Sequence, residues 1–159
     1  YNTNGTLDTT FSIDGVVKLN LGSWDQAYAV TIQDDGKILV AGEVNNDIAL
    51  IRLNPDGNLD TSFGGGDGIV IENLGGTDEA FAVKVLPDGK ILVAGHSTLG
   101  TALDSWVAIR YDSEGNIDTS FAENGVFSHR FAGNSNNHRD SIVAYDIGLL
   151  ANGDIVLGG

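Results

Sequence analysis

Pro87-Asp88-Gly89-Lys90-Ile91-Leu92-Val93-Ala94-Gly95 recurs in this chain. It appears earlier as Asp34-Asp35-Gly36-Lys37-Ile38-Leu39-Val40-Ala41-Gly42, and in altered form as Ala151-Asn152-Gly153-Asp154-Ile155-Val156-Leu157-Gly158-Gly159. An Asx-Gly pair followed by a short apolar run is a hairpin turn feeding a buried strand. From Gly36 to Gly89 is 53 residues and from Gly89 to Gly153 is 64, so the chain is a tandem repeat. A second phrase accompanies the first. It reads Asn4-Gly5-Thr6-Leu7-Asp8-Thr9-Thr10-Phe11, then Asp56-Gly57-Asn58-Leu59-Asp60-Thr61-Ser62-Phe63, then Glu114-Gly115-Asn116-Ile117-Asp118-Thr119-Ser120-Phe121.

Aligning the two phrases gives units 1–53, 54–111 and 112–159, the last lacking its final strand. The first unit has four expected strands. Val16–Leu21 puts Val17, Leu19 and Leu21 on one face, and Ala27–Ile32 puts Tyr28, Val30 and Ile32 on one face. Lys37–Gly42 and Ile48–Leu53 complete the unit, each entered through an Asx turn. The second unit repeats this with Gly68–Leu74, Ala80–Leu86, Lys90–Gly95 and Trp106–Tyr111. In the third, Ala144–Leu150 matches Ala80–Leu86 after a polar insertion, Gly133–Asp140. No stretch has helical period with caps. Four short strands per unit in tandem predict an all-β, β-propeller-like repeat of four-stranded antiparallel blades. A β-helix fits less well, because its coils are shorter. Three units, cut one strand short, read as part of a larger propeller or array, or as a chain whose copies associate to complete a ring. The opening Tyr1 in place of Met reads as a processed chain or a fragment.

Composition narrows the function classes. The 159 residues carry 22 acidic and 8 basic side chains, for a net charge of −14. That field repels nucleic-acid phosphates and anionic lipid, so neither is an expected partner. The absence of Cys excludes disulfides and Cys-ligated metals. No apolar run approaches the roughly 20 residues of a membrane helix, so membrane insertion is not expected.

The phrase Arg52-Leu53-Asn54-Pro55-Asp56-Gly57-Asn58-Leu59-Asp60-Thr61-Ser62-Phe63, with Asp78-Glu79-Ala80-Phe81-Ala82-Val83 running on to Gly95, resembles the core of the delta-60 repeat family. The resemblance covers nearly the whole chain. It implies a propeller-like fold in large secreted or surface-exposed bacterial proteins, often beside adhesion or sorting domains. It brings no catalytic residue and no ligand. The third unit departs from the pattern at Asp146, Gly148 and Asn152.

Several residues are candidates for chemistry. Asp8, Asp60 and Asp118 share one repeat position and read either as carboxylates for Ca²⁺ or as Asx and ST turns. Their recurrence in every unit favours the turn. Phe11, Phe63 and Phe121 read as plugs between blades, and Tyr28, Phe81 and Tyr145 likewise. Gly64-Gly65-Gly66-Asp67-Gly68 lacks the Lys and helix of a phosphate loop. His96, His129 and His138 match no metal-ligand spacing, and no Gly-x-Ser-x-Gly elbow is present. Trp24 and Trp106 would stack on sugars or anchor a partner if exposed. Trp24, Ser97, Trp106, Asn134, Asn136, His138 and Arg139 are therefore the candidate partner residues. The loops Ser97–Leu103 and Gly133–Asp140 would carry specificity. The expectation is a non-catalytic scaffold or interaction module without a cofactor, secreted or on the bacterial surface. It would engage a protein or glycan, further repeats of the same chain, or copies of itself. A carbohydrate- or Ca²⁺-binding module and a propeller-type hydrolase or lyase are the alternatives.

Overall fold

The computed structural model describes residues 1–99, 104–130 and 143–159. Its strands are β1 Asp25–Ile32, β2 Ile38–Val44, β3 Asp47–Leu53, β4 Ile69–Glu72, β5 Asp78–Val85, β6 Ile91–Ser97, β7 Ser105–Tyr111, β8 Val126–His129, β9 Asp146–Leu149 and β10 Ile155–Gly158. They form antiparallel sheets ordered β1-β2-β3-β4, β5-β6-β7-β8 and β10-β9. Among the described residues there is no helix, hence none long and apolar enough to cross a membrane.

The turns follow from their residues. In each copy of the recurrent phrase the turn Gly has positive φ: 84° at Gly36, 83° at Gly89 and 88° at Gly153. The Asx side chain before it accepts from the amide after it, Asp35 from Lys37, Asp88 from Lys90 and Asn152 from Asp154. Asn45 and Asn46, at φ 53° and 70°, close a two-residue hairpin between β2 and β3.

The last Gly of the phrase has a different role. A Cβ on Gly42 would lie 1.9 Å from the Gln26 carbonyl oxygen, one on Gly95 1.9 Å from that of Glu79, and one on Gly159 1.7 Å from that of Val143. No side chain fits there, so the innermost strand of each sheet can press against the next. Just past this contact the pairing slips by one residue, between Ala27 and Ala29 and between Ala80 and Ala82. Tyr28 and Phe81 are the extra residues of these bulges.

Two corrections to the expected strands result. Residues 16–21 form no strand. Their counterparts, β4 and β8, pair with the third strand of the sheet built by the preceding unit. Each four-stranded sheet thus takes its outer strand from the next unit, and residues 1–15 hold no strand on which 16–21 could pair. The second concerns Tyr28, Phe81 and Tyr145, which are not buried plugs. Tyr28 and Tyr145 are exposed, and the three rings form a ladder across β1, β5 and the start of the third sheet, with centroids 4.6 and 5.3 Å apart. A bulged residue falls out of the inward–outward alternation, so its ring leaves the core face.

The sheets stack through their faces. Leu39, Ala41, Ile48 and Leu50 of the first meet Ile91, Val93, Val107 and Ile109 of the second. The opposite face of the second sheet, Leu92, Ala94 and Ala108, meets Ala144 and Ile147 of the third. Every residue of β6 is buried, which is why the central phrase is apolar without alternation. Phe63 is fully buried and its ring lies where a Cβ on Gly115 would be 2.8 Å away; Phe11 covers Gly57 in the same manner. These two Phe do bridge successive units. Gly95→Ala is expected to cost more than the roughly 1–3 kcal/mol usual for overpacking, since its obstacle is backbone. Gly89→Ala, in open space at positive φ, should cost only about 1–2 kcal/mol. Urea unfolding of the two variants checks the order.

Candidate functional site

Two of the three repeated aspartates, Asp60 and Asp118, each sit in their own pair of cations. The Asp60 carboxylate accepts from Arg52 Nε at 2.7 Å and Lys37 Nζ at 3.0 Å, and from the amide and hydroxyl of Ser62. Asp118 accepts from Lys90 Nζ at 2.7 Å, Arg110 Nε at 2.8 Å and Ser120. The Arg52 and Arg110 guanidiniums lie over the Phe63 and Phe121 rings, 4.3 and 4.7 Å from the centroids. Asp8 keeps only the bonds from Thr10. Burial of Asp60 opposes its ionisation, but the bonds from Ser62, Lys37 and Arg52 outweigh it and hold its carboxyl well below the usual range. At Asp118 the Lys90 bond leads, followed by Ser120, with the same net direction. A Ca²⁺ ion at Asp60 or Asp118 would compete with two protein cations for the same oxygens. Among the described residues no group of three or more His, Asp or Glu is arranged to hold a metal.

The opposite end of the sheets, where β2 and β6 finish, carries a continuous polar chain. Glu43 stands across from Gln26, and His96 from Glu79. Glu43 is 4% exposed. Its Oε1 accepts from the Trp24 indole at 3.1 Å, the Tyr28 hydroxyl at 3.1 Å and Gln26 Nε2 at 3.4 Å. The Tyr28 oxygen is also 3.4 Å from Glu79 Oε1, which links the first sheet to the second. Glu79 Oε2 lies 3.5 Å from His96 Nδ1, and His96 Nε2 lies 2.9 Å from Asp104 Oδ1. Burial of the Tyr28 phenol, then the bond and charge of Glu43 and those of Glu79, raise its pKa far above the ordinary value. It stays protonated and donates its one hydrogen to one carboxylate at a time. The chain presents anionic oxygen and aromatic surface together, a pairing suited to hydroxyl or ammonium groups of a ligand.

Of the candidate partner residues among those described, Trp24 lies exposed in this end, at 61%. Ser97 is fully buried; its hydroxyl donates to Asp78 and accepts from the Leu99 amide, so it braces the strand end and is no loop contact. Trp106 is half-buried in β7 and packs on the core between the second and third sheets. Asn134, Asn136, His138 and Arg139 lie outside the described residues, as do 100–103 of the Ser97–Leu103 loop. His129 ends β8 and stacks on Phe127. Sequence reasoning missed Glu43, Glu79 and Asp104. The available signal was the residue after the phrase's last Gly, where Glu43 and His96 break an otherwise apolar strand.

A family described as "Domain of unknown function (DUF5122) beta-propeller" matches residues 33–63 and 86–121, under half of the chain. Each match runs from the hairpin turn of one recurrent phrase through the Phe of the other, covering β2–β3 and β6–β7. No curated protein matches the chain.

Asp60→Ala strands Arg52 in a buried site and is expected to cost about 3–5 kcal/mol near neutral pH. Because the folded pKa of Asp60 lies below the ordinary value of about 3.9, the unfolded chain binds more protons in the window between the two. This contribution is therefore complete above about pH 4 and is lost as pH falls through the folded value. Urea midpoints measured across acid pH should fall less steeply for Asp60→Ala than for the parent. With its four-stranded antiparallel sheets and two matches at equivalent repeat positions, the chain is similar to a β-propeller repeat family and is built of propeller-type blades.

Proposed function

We propose that the chain is a non-catalytic interaction module of the delta-60 repeat kind, a scaffold in a secreted or cell-surface bacterial protein with a role in adhesion. Its ligand end is the one that carries Trp24, Tyr28, Glu43 and Glu79. One observation supports the reading. Positions shared by the copies are consumed by the fold: Asp60 with Arg52, Phe63 on Gly115, Gly95 against a carbonyl. Positions where the copies differ, Trp24 against Thr77, Gln26 against Glu79 and Glu43 against His96, make up the polar end. A scaffold that keeps its frame and varies one end is organised for recognition.

The exposed Trp24 indole, in one polar chain with the part-exposed Glu79 carboxylate, favours a glycan partner, since an aromatic face takes the C–H face of a sugar while a carboxylate accepts its hydroxyls. Ca²⁺ at Asp8, Asp60 and Asp118 is not part of this proposal. Titration with neutral oligosaccharides in a Trp106→Phe background, followed by Trp24 fluorescence, is expected to saturate for at least one sugar. By calorimetric titration, Trp24→Ala should weaken that sugar about tenfold or more, the loss of one anchoring aromatic. Asp88→Asn, at the opposite end, should leave it unchanged. A flat response to every oligosaccharide, with saturation by a lysine-rich peptide, would transfer the site to a protein partner. Silence to both would remove the proposal.

A further inference from the structure

The middle blade, packed between the first and third sheets, sets one buried histidine between two carboxylates. His96 is 8% exposed. Its Nδ1 lies 3.5 Å from Glu79 Oε2 and its Nε2 lies 2.9 Å from Asp104 Oδ1. A neutral imidazole has one N–H and one lone pair. With the hydrogen on Nε2, Asp104 is satisfied and the Nδ1 lone pair faces Glu79. With it on Nδ1, a lone pair faces Asp104. Each neutral tautomer thus sets an acceptor against an anion, and the buried Nδ1 has no hydrogen-bond partner. Only the imidazolium gives a proton to both carboxylates. The Glu79 and Asp104 side chains are 24% and 29% exposed, so they can turn toward solvent while the ring cannot. Among the described residues, the groups packed around this cluster have other partners or carry no charge. Asp78, beside Glu79, accepts from Ser97 and the Leu74 amide. Trp106 stands across from His96 on β7, and β8 ends beyond it at His129, with Arg130 next in the chain. From the first sheet the Tyr28 oxygen lies 3.4 Å from Glu79, and Glu43 accepts from Tyr28 at 3.1 Å. From the third, Ala144 meets the Gly95 carbonyl and Tyr145 packs on Phe81.

Resting on the recognition end argued above, we propose that His96 is its proton-operated switch. As an imidazolium, His96 holds Glu79 and Asp104 together. As a neutral ring with its hydrogen on Nε2, it keeps Asp104 and releases Glu79 to the Tyr28 hydroxyl and to the hydroxyls of a ligand. The proton on Nδ1 and the ligand compete for one carboxylate, so binding strengthens as pH rises and the proton leaves to solvent. Histidine is the side chain that ordinarily changes charge between about pH 5 and 8. The first blade has no such device, because there Glu43 stands across from Gln26 and no imidazole is present.

Long-range proton–nitrogen NMR of the isotope-labelled full chain, with no ligand added, reads both His96 ring nitrogens from about pH 5 to about pH 8. Both should be protonated at the acid end and Nε2 alone at the alkaline end, with the Glu79 carboxyl carbon shifting at the same midpoint. A ring that keeps one protonation state across the range overturns the proposal. So does a ring that titrates while the Glu79 carbon stays still. The oligosaccharide that saturates the Trp24 end should bind about tenfold more tightly at the alkaline end than at the acid end, the worth of one hydrogen bond to a charged group. His96→Gln should flatten that profile. Equal affinity of the parent at both ends, or a slope that survives in His96→Gln, overturns the proposal as well. Should no sugar bind, the glycan reading falls, and the ligand-free spectra still decide the switch. Should His96→Gln fail to fold, the parent's spectra and its affinities at the two ends decide it.

Discussion

The structure depends on a close approach of backbone to backbone. At Gly42, Gly95 and Gly159 the carbonyl oxygen of the neighbouring inner strand occupies the space of a side chain. Only glycine lets the first two strands of a blade close that tightly. For β1 and β5 the pairing then slips by one residue, and Tyr28 and Phe81 are forced out of the alternation. The aromatic ladder follows from this slip, since equivalent bulges in successive blades bring Tyr28 and Phe81 to equivalent places. Through the Tyr28 hydroxyl the same slip ties Glu43 of one blade to Glu79 of the next. A constraint on packing thus becomes the geometry of the polar end.

The far end of the blades is organised by a second repeated assembly. Asp60, Arg52, Lys37 and Phe63 form one unit of ion pair, hydrogen bond and cation–π contact. Phe63 meets the turn glycine of the following unit, and the Arg52 guanidinium reaches the Ser113 carbonyl. Buried charges of this kind cost desolvation, which good geometry and added bonds offset. Their return at Asp118, Arg110, Lys90 and Phe121 indicates that they set the spacing between units. Asp8 lacks the cations and keeps only its turn, and its surroundings are correspondingly more exposed.

Much of the fold was legible because hairpin turns are local. Asp35-Gly36, Asp88-Gly89 and Asn152-Gly153 need positive φ and a side-chain acceptor, and the residues supply both. The polar end was less legible. Glu43, Glu79, His96 and Asp104 have no diagnostic spacing, and they meet only because cross-strand register and the contact between two sheets bring them together. Ser97 illustrates the converse: it lies at the start of an expected loop, yet the partner that buries it, Asp78, is on another strand.

By itself the sequence determined the repeat, the all-β class, the hairpins and the bridging role of Phe11 and Phe63, since each depends on short-range chemistry or on comparing copies. Tertiary structure alone decided which strands share a sheet. Residues 16–21 have the alternation of a strand, but a strand needs a partner's hydrogen bonds, and β4 and β8 find theirs on the preceding unit's sheet. It also decided which apolar faces are buried. Val83 and Val85 are covered and Val30 and Ile32 are not, although their residue types are nearly the same. Burial belongs to the neighbouring sheet and not to the strand, and no local pattern records whether that neighbour is present.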